Sequence, residues 1–262
     1  DIALYKVKEN GRNGIAFFEQ AMQVAASERL SVETELRVAV SKCEFVLFYQ
    51  PQFDALEQRI TGAEALIRWM HPSKGLTGPA GFIHVLEESG MILEVGTWVL
   101  GRACQFIAEL LRNNEVNAVP ARCLKLEITE NIVIQNISDT IAKMQELRHI
   151  GVRFAIDDFG TGYSSLSYLK RLPLDLLKID QSFIRDCTRD VNDAEIVRAI
   201  IAMARNLRLE LIAEGVETQE QLDFLQTQSC HTFQGYLYSP PVAEQDFIEI
   251  LRRSAMAPSA VL

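Results

Sequence analysis

Residues 152–165 read Val152-Arg153-Phe154-Ala155-Ile156-Asp157-Asp158-Phe159-Gly160-Thr161-Gly162-Tyr163-Ser164-Ser165. Val152, Phe154 and Ile156 alternate with Arg153, Ala155 and Asp157, the period of two that marks a strand. The strand ends on two adjacent carboxylates. Two glycines follow, so the backbone turns sharply there or lets something come close. Adjacent acids at a strand end are costly unless a positive charge sits between them, and a divalent cation is the usual answer. The alternative is a solvated turn with an Asx cap. The rest of the chain decides between the two.

On both sides of this stretch, short apolar strands alternate with helical patterns. Strands are expected at 45–51, 60–69, 124–130, 176–180, 209–214 and 232–238. Helices are expected at 80–89, 93–110, 137–149, 164–171, 193–207, 218–228 and 243–253. In the helix at 193–207, Val197, Ile200, Ile201, Ala204 and Leu207 share one face. Such alternation over some 210 residues implies a mostly parallel sheet, and the count suits a closed eight-fold barrel better than an open sheet. Strand phase then assigns the faces. Leu124, Leu126 and Ile128 share one side, while Lys125, Glu127 and Thr129 share the other. Asp157 is in phase with Arg153 and Ala155, and Lys178 with Leu176 and Asp180. The apolar side faces the covering helices. The charged side faces the barrel axis, near the carboxyl ends where such barrels keep their chemistry.

Acids recur at equivalent strand ends: Glu64, Glu127, Glu130, Asp157, Asp158, Glu214 and Glu217. Oxygen ligands in this number suit Mg²⁺ or Mn²⁺ rather than Zn²⁺. Two such cations sharing Asp157 would clamp a phosphate. Lys178 would hold a water or neutralise the phosphate, and Arg68 would hold a phosphate oxygen. The four histidines show no ligand spacing, and His71, before a proline, is expected to be exposed. Asp158-Phe159-Gly160 is also the tripeptide of the kinase metal loop, but neither a glycine-rich nucleotide loop nor an HRD loop accompanies it. Gly160-x-Gly162 lacks the third glycine of a dinucleotide-binding turn.

The chain has 262 residues, 48% of them hydrophobic, enough for one large domain plus a fragment. Its formal charge of −9, from 35 acids against 26 bases, argues against duplex nucleic acid as a partner. The five cysteines are dispersed and form no CxxC pair, which points to buried free thiols in a reducing, cytoplasmic setting. No run approaches membrane-spanning length, although a longer parent protein can carry a membrane anchor elsewhere. Residues 19–42, rich in Glu, Ala and Leu, read as a linker helix broken near Ser31, whose hydroxyl would cap the second part.

Six ordered motifs carry a family resemblance. They are GAEALIRW at 62–69, LEITE at 126–130, DDFGTGYSSL at 157–166, LLKID at 176–180, AEGVE at 213–217 and QGYLYSPP at 234–241. Together they resemble the EAL domain, over residues 43–255. The tail 256–262 lies beyond it. Residues 1–18, with Ala3-Leu4-Tyr5 and Gly11-Arg12-Asn13, resemble the C-terminal tail of a GGDEF (diguanylate cyclase-like) domain. The resemblance implies a TIM-like (β/α)8 barrel with an irregular first strand. It implies metal-dependent hydrolysis of cyclic di-GMP to linear pGpG, with an upstream GGDEF domain and a homodimer through the barrel as partners. Position by position, it implies that Glu64, Glu127 and Asp157 bind one metal and Asp157 and Asp158 a second. Lys178 and Glu214 would position or deprotonate the attacking water. Glu130 would brace the 158–165 loop, Gln50, Leu66, Arg68 and Gln234 would contact substrate, and Glu217 would join the acidic cluster. Two rival readings are a catalytically silent cyclic-di-GMP receptor and a dimerisation module packing through Tyr163–Leu169.

The chain departs from the family pattern at one place. Between the helix at 93–105 and the LEITE strand the family has a further strand bearing an Asn metal ligand. Only about twenty residues separate Cys104 from Leu126, too few for that strand and its helix. The seam falls near Gln105-Phe106, and Asn117 is a poor substitute. Of a true deletion and a stretch omitted from the sequence as written, the second is expected, because a barrel missing one strand exposes an unpaired edge.

Overall fold

The alternating run at the centre of the sequence forms a strand, β5 (Arg153–Phe159), and the other elements take their places around it. The computed structural model describes residues 20–113, 124–129, 137–160 and 169–256, which divide into two units. The expected GGDEF-like remnant at 1–18, Asn117, Glu130, most of the 158–165 loop and of the helix at 164–171, and the tail beyond Met256 lie outside the described residues.

One unit comprises residues up to Phe48 together with Leu66–Gln105. Its first helix, α1 (Gln20–Lys42), runs unbroken for 23 residues. The expected break at Ser31 is absent. Its hydroxyl instead donates to Glu35 Oε1 at 3.2 Å, one turn on, which leaves the backbone ladder intact. The first part of β1 (Phe45–Asp54), the end of β2 (Arg59–His71) and β3 (Gly75–Thr77) follow, with helices α2 (Ile83–Ser89) and α3 (Ile92–Arg112). Leu36, Ala39, Phe82 and Leu86 are fully buried here. Trp69 packs edge-on against Phe82 at 5.8 Å and donates its indole N–H to Glu44 at 3.1 Å. His71 is buried, not exposed as expected. Its Nδ1 accepts from the backbone N–H groups of Ser73 and Lys74, so Nε2 carries the proton and donates to Glu35 at 3.0 Å. The turn after β2 thus folds back onto an imidazole anchored to α1. Helix α3 passes without a break through Gln105-Phe106, the expected seam.

The other unit holds Tyr49–Ala65 and the described residues from Phe106 onward. After β4 (Lys125–Thr129) come α4 (Ile137–His149), β5, β6 (Leu176–Ile179), α5 (Gln181–Asp186), α6 (Val191–Leu207), β7 (Glu210–Ala213), α7 (Gln219–Thr227), β8 (Thr232–Phe233), β9 (Val242–Ala243) and α8 (Glu244–Met256). Strands β4, β5, β6, β7 and β8 pair in that order, all parallel, so their carboxyl ends share one edge. The end of β1 joins β8 antiparallel, with Phe53 opposite Phe233, and is the irregular strand. Strand β8 is far shorter than the run expected over 232–238.

Strand phase separates two apolar sets. Phe154, Ile156, Leu177 and Ile179 pack with Val197, Ile200, Ile201 and Ala204 of α6, the face expected for that helix. On the opposite side Ala155, Leu176 and Ile212 form a small cluster of their own, beneath the charged residues. Asp190 caps α6 by accepting from Asn192 N, and Thr218 and Gln221 form a capping box on α7. Of the four described cysteines, Cys187 and Cys230 are buried and free, whereas Cys43 and Cys104 are exposed, contrary to expectation.

Candidate active site

Parallel pairing brings the carboxyl ends of β4 to β7 to one edge of the sheet, and each supplies a charged side chain to a group that Glu64 of β2 joins. Lys178 on β6 is the centre of the group, with its side chain only 1% exposed. Its Nζ lies 2.6 Å from Glu214 Oε1, 2.7 Å from Glu127 Oε2, 3.1 Å from Asp157 Oδ1 and 3.6 Å from Glu64 Oε2. Glu214 directly follows β7, Glu127 belongs to β4, Asp157 to β5 and Glu64 to β2. Four segments far apart in sequence therefore converge on a single ammonium. A lysine on the enclosed side of a strand is tolerated only with such compensation.

Neighbouring residues of a strand point to opposite faces, so Asp157 and Asp158 would ordinarily diverge. Here the β5–β6 register shifts between Ile156 and Phe159, and Asp158 adopts φ 52°, a left-handed conformation that Asp tolerates better than most residues. The irregularity brings both carboxylates to the same side. Oxygens of Asp157, Asp158 and Glu214 come within 4.8 Å of one another. Beyond β8, a Cβ on Gly235 would lie 2.1 Å from the Val216 carbonyl oxygen. Only glycine lets the AEGVE turn and the Gln234 segment meet this closely, and Val216 N donates to Gln234 O across the contact.

The electrostatics are unbalanced toward negative charge. Burial pushes Glu127 up to about 7 and Glu214 up to about 8, against the opposing pull of Lys178. Burial also raises Asp158, helped by Asp157 and Asp180 beside it. Burial opposes the charge on Lys178, but the surrounding carboxylates outweigh it and hold the lysine above its ordinary range. One ammonium does not neutralise this many carboxylates. A hard divalent cation with oxygen ligands fits what remains, so the donor set suits such an ion.

The structure also places the other expected residues. Gln234 is buried and donates its Nε2 to Glu64 Oε2. Gln50 is buried and donates to the Ser239 carbonyl at 3.2 Å. Leu66 and Arg68 continue β2 beyond Glu64 and belong to the other unit, where the Arg68 guanidinium stands 5.6 Å over the Phe48 ring. Glu217 is exposed, and its backbone N–H is taken by Gln221 at 2.8 Å. Glu130 lies outside the described residues.

The sequence reading gave three residues of this region no role at the site. Asp180 flanks Asp158 and caps α5 by accepting from Ser182 N. Gln52, 2% exposed, donates to Gln234, and Lys125 donates to Gln52. Each had a signal. Asp180 and Lys125 share the phase of site residues on their own strands, and Gln52 repeats Gln50 two positions on.

A parallel sheet with helices on one face and an acid cluster around a buried lysine at its carboxyl edge defines a barrel-type α/β domain whose acidic edge is compatible with a divalent cation. The chain belongs to the EAL domain family, which matches residues 33–119 and 106–241. Among similar proteins, the cyclic di-GMP phosphodiesterase NbdA of Pseudomonas aeruginosa is 41% identical over 98% of this chain. The bifunctional diguanylate cyclase/cyclic di-GMP phosphodiesterase MucR of the same species is 40% identical over 94%. The chain spans only 37% and 40% of these relatives' lengths. The NbdA alignment runs over 288 positions, more than the 262 residues present, so that relative carries residues this chain lacks. The structure resembles the PaMucR phosphodiesterase in its c-di-GMP complex with a TM-score of 0.77 and 36% identity, covering 83% of this chain and 99% of that one. It resembles the EAL enzyme Bd1971, in its cAMP and cyclic-di-GMP bound form, with a TM-score of 0.80 and 32% identity, covering 87% and 70%. The fold is thus the TIM-like barrel of the EAL type, as expected. Among the described residues no helix is long and apolar enough to cross a membrane.

Proposed function

We propose that this chain hydrolyses cyclic di-GMP to linear pGpG in a divalent-metal-dependent reaction, and so lowers the level of a bacterial second messenger. The observation that carries this reading is the convergence of Glu64, Glu127, Asp157 and Glu214 on Lys178. The NbdA and MucR likenesses and the c-di-GMP-bound PaMucR structure support the substrate.

In this reading Glu64, Glu127 and Asp157 hold one Mg²⁺ or Mn²⁺, and Asp157 and Asp158 a second. When bound, such ions supply the positive charge that draws phosphodiester oxygens and acidifies water. Glu214 would accept a proton from an attacking water, a role supported by its pKa, raised toward neutrality by burial. Lys178 orients that water through its ammonium and offsets charge on the phosphate. Gln50, Leu66, Arg68 and Gln234 contact the dinucleotide. Glu130 braces the loop after Asp158, and Glu217 adds negative charge at the rim. An upstream GGDEF domain, a homodimer through the barrel and a cytoplasmic setting belong to the same proposal.

Purified protein with Mg²⁺ or Mn²⁺ should convert cyclic di-GMP to pGpG, followed by chromatography. Glu64→Ala should reduce product formation by at least about 10³-fold, as expected when a charged group is removed from such a site. Normal turnover by that variant would remove the metal-site assignment. A second reading rests on the missing Asn-bearing segment: the chain binds cyclic di-GMP without cleaving it and signals by rearrangement. Tight binding with no product in both metals would establish that reading.

A further inference from the structure

Half-buried Lys125 of β4 opens a chain of polar groups that runs through two buried glutamines and ends on Glu64. Its Nζ donates to Gln52 Oε1 at 3.4 Å. Gln52 Nε2 donates to Gln234 Oε1 at 3.2 Å, and Gln234 Nε2 donates to Glu64 Oε2. Both glutamines are nearly inaccessible, at 2% and 5% exposure. Room for this arrangement comes from Gly62, two residues before Glu64: a Cβ there would lie 2.7 Å from Gln52 Oε1.

The direction of the chain is fixed by its ends. A primary amide can rotate its oxygen and nitrogen into each other's places, and only its partners choose between the two settings. An ammonium has donors and no acceptor, so Gln52 must turn its oxygen to Lys125 and its nitrogen to Gln234. Gln234 must then turn its oxygen to Gln52 and its nitrogen to Glu64. At the far end an ionised carboxylate only accepts, which agrees with that setting. Donor-only and acceptor-only termini therefore orient both amides together.

We infer that Lys125 and Gln52 are positioning residues for Glu64: they hold the Gln234 amide with its N–H toward the Glu64 carboxylate, so that this carboxylate stays fixed among the acids at the sheet edge. Without Lys125 the two amides are free to rotate. In the reversed setting the Gln234 oxygen faces Glu64 Oε2, and the repulsion drives Glu64 out of the cluster. Neither Lys125 nor Gln52 needs to touch the substrate for this. The inference rests on the phosphodiesterase reading for its kinetic consequence but not for its binding one.

The test uses Lys125→Met, Lys125→Arg and Gln52→Met in the full chain, with melting temperature and far-ultraviolet circular dichroism as folding controls. Mn²⁺ affinity is measured by calorimetry without substrate, and kcat and KM for cyclic di-GMP with saturating Mn²⁺. Lys125→Met should weaken Mn²⁺ binding by about 3- to 10-fold and lower kcat by about 10-fold, with KM unchanged within about twofold, as expected when a preorganising contact is lost. Lys125→Arg, which keeps a donor-only head, should restore most of both. Gln52→Met, of similar volume, should reproduce the loss if Lys125→Met does not fold, and the double variant should be no worse than either single one. Wild-type Mn²⁺ affinity in folded Lys125→Met or Gln52→Met overturns the relay, as does Lys125→Arg behaving like Lys125→Met. A wild-type protein that binds Mn²⁺ but forms no pGpG overturns the phosphodiesterase reading and leaves the relay to the Mn²⁺ measurement.

Discussion

Replacing Lys178 with methionine removes the cation on which four carboxylates converge, while keeping similar volume. The side chain is 1% exposed, and those of Glu214 and Glu127 are 15% and 25% exposed, so solvent screens these charges little. Breaking a buried ion pair from one side costs about 3–5 kcal/mol. At about 2–4 °C per kcal/mol for a domain of this size, the melting temperature of the metal-free protein should fall by roughly 6–20 °C near neutral pH. The deficit should also depend on pH. In the wild type Lys178 partly restrains Glu127 and Glu214, which nonetheless reach about 7 and about 8. Without it both rise further, and each carboxyl then ionises only at a cost to the folded state. Near pH 5 the acids are largely protonated and the deficit is smallest. It widens toward pH 9, where the wild-type lysine is still charged and the variant's acids face one another unbalanced. Scanning calorimetry in chelator from pH 5 to 9 checks this. A deficit that is absent, or constant across that range, would show that the carboxylates do not depend on this ammonium.

Two further outcomes follow from particular contacts. In chelator the wild type should itself lose stability as pH rises. Glu127 and Glu214 have folded pKa values above the ordinary carboxylate value, so their favourable contribution is complete below about pH 4.5 and is lost as pH passes through about 7 and about 8. Added Mn²⁺ should therefore raise the melting temperature more at pH 8 than at pH 5, and a wild type that becomes more stable from pH 5 to 8 in chelator contradicts the electrostatics. In the α1 unit, His71→Leu should cost about 1–3 kcal/mol, because it strips the acceptor from two backbone N–H groups and the donor from Glu35. Equilibrium denaturation measures it, and a change within 0.5 kcal/mol, roughly the scatter of ordinary surface substitutions, would mean these bonds do not form.

The sequence by itself determined where the strands lie and which of their faces carries charge. Period-two alternation in 153–157 and 124–129 is a local property, and each motif acid could be placed at the end of a strand without knowing its neighbours. Membership of the EAL family was legible for the same reason, since its motifs are contiguous. Helix α6 and its buried face were equally readable from spacing. Tertiary structure decided what adjacency in the chain cannot encode. Lys178 has as partners residues that lie 21 to 114 positions away, and only the assembled sheet brings them within reach. Asp157 and Asp158 share a side because of a register shift and a left-handed residue, whereas alternation alone would have sent them apart. His71 looked like a loop residue but is buried, because Glu35 of α1 reaches its ring. Gln52 and Lys125 gave only a phase, since the direction of an amide depends on what stands at both ends of its hydrogen-bond chain, and those ends meet only after the sheet has formed.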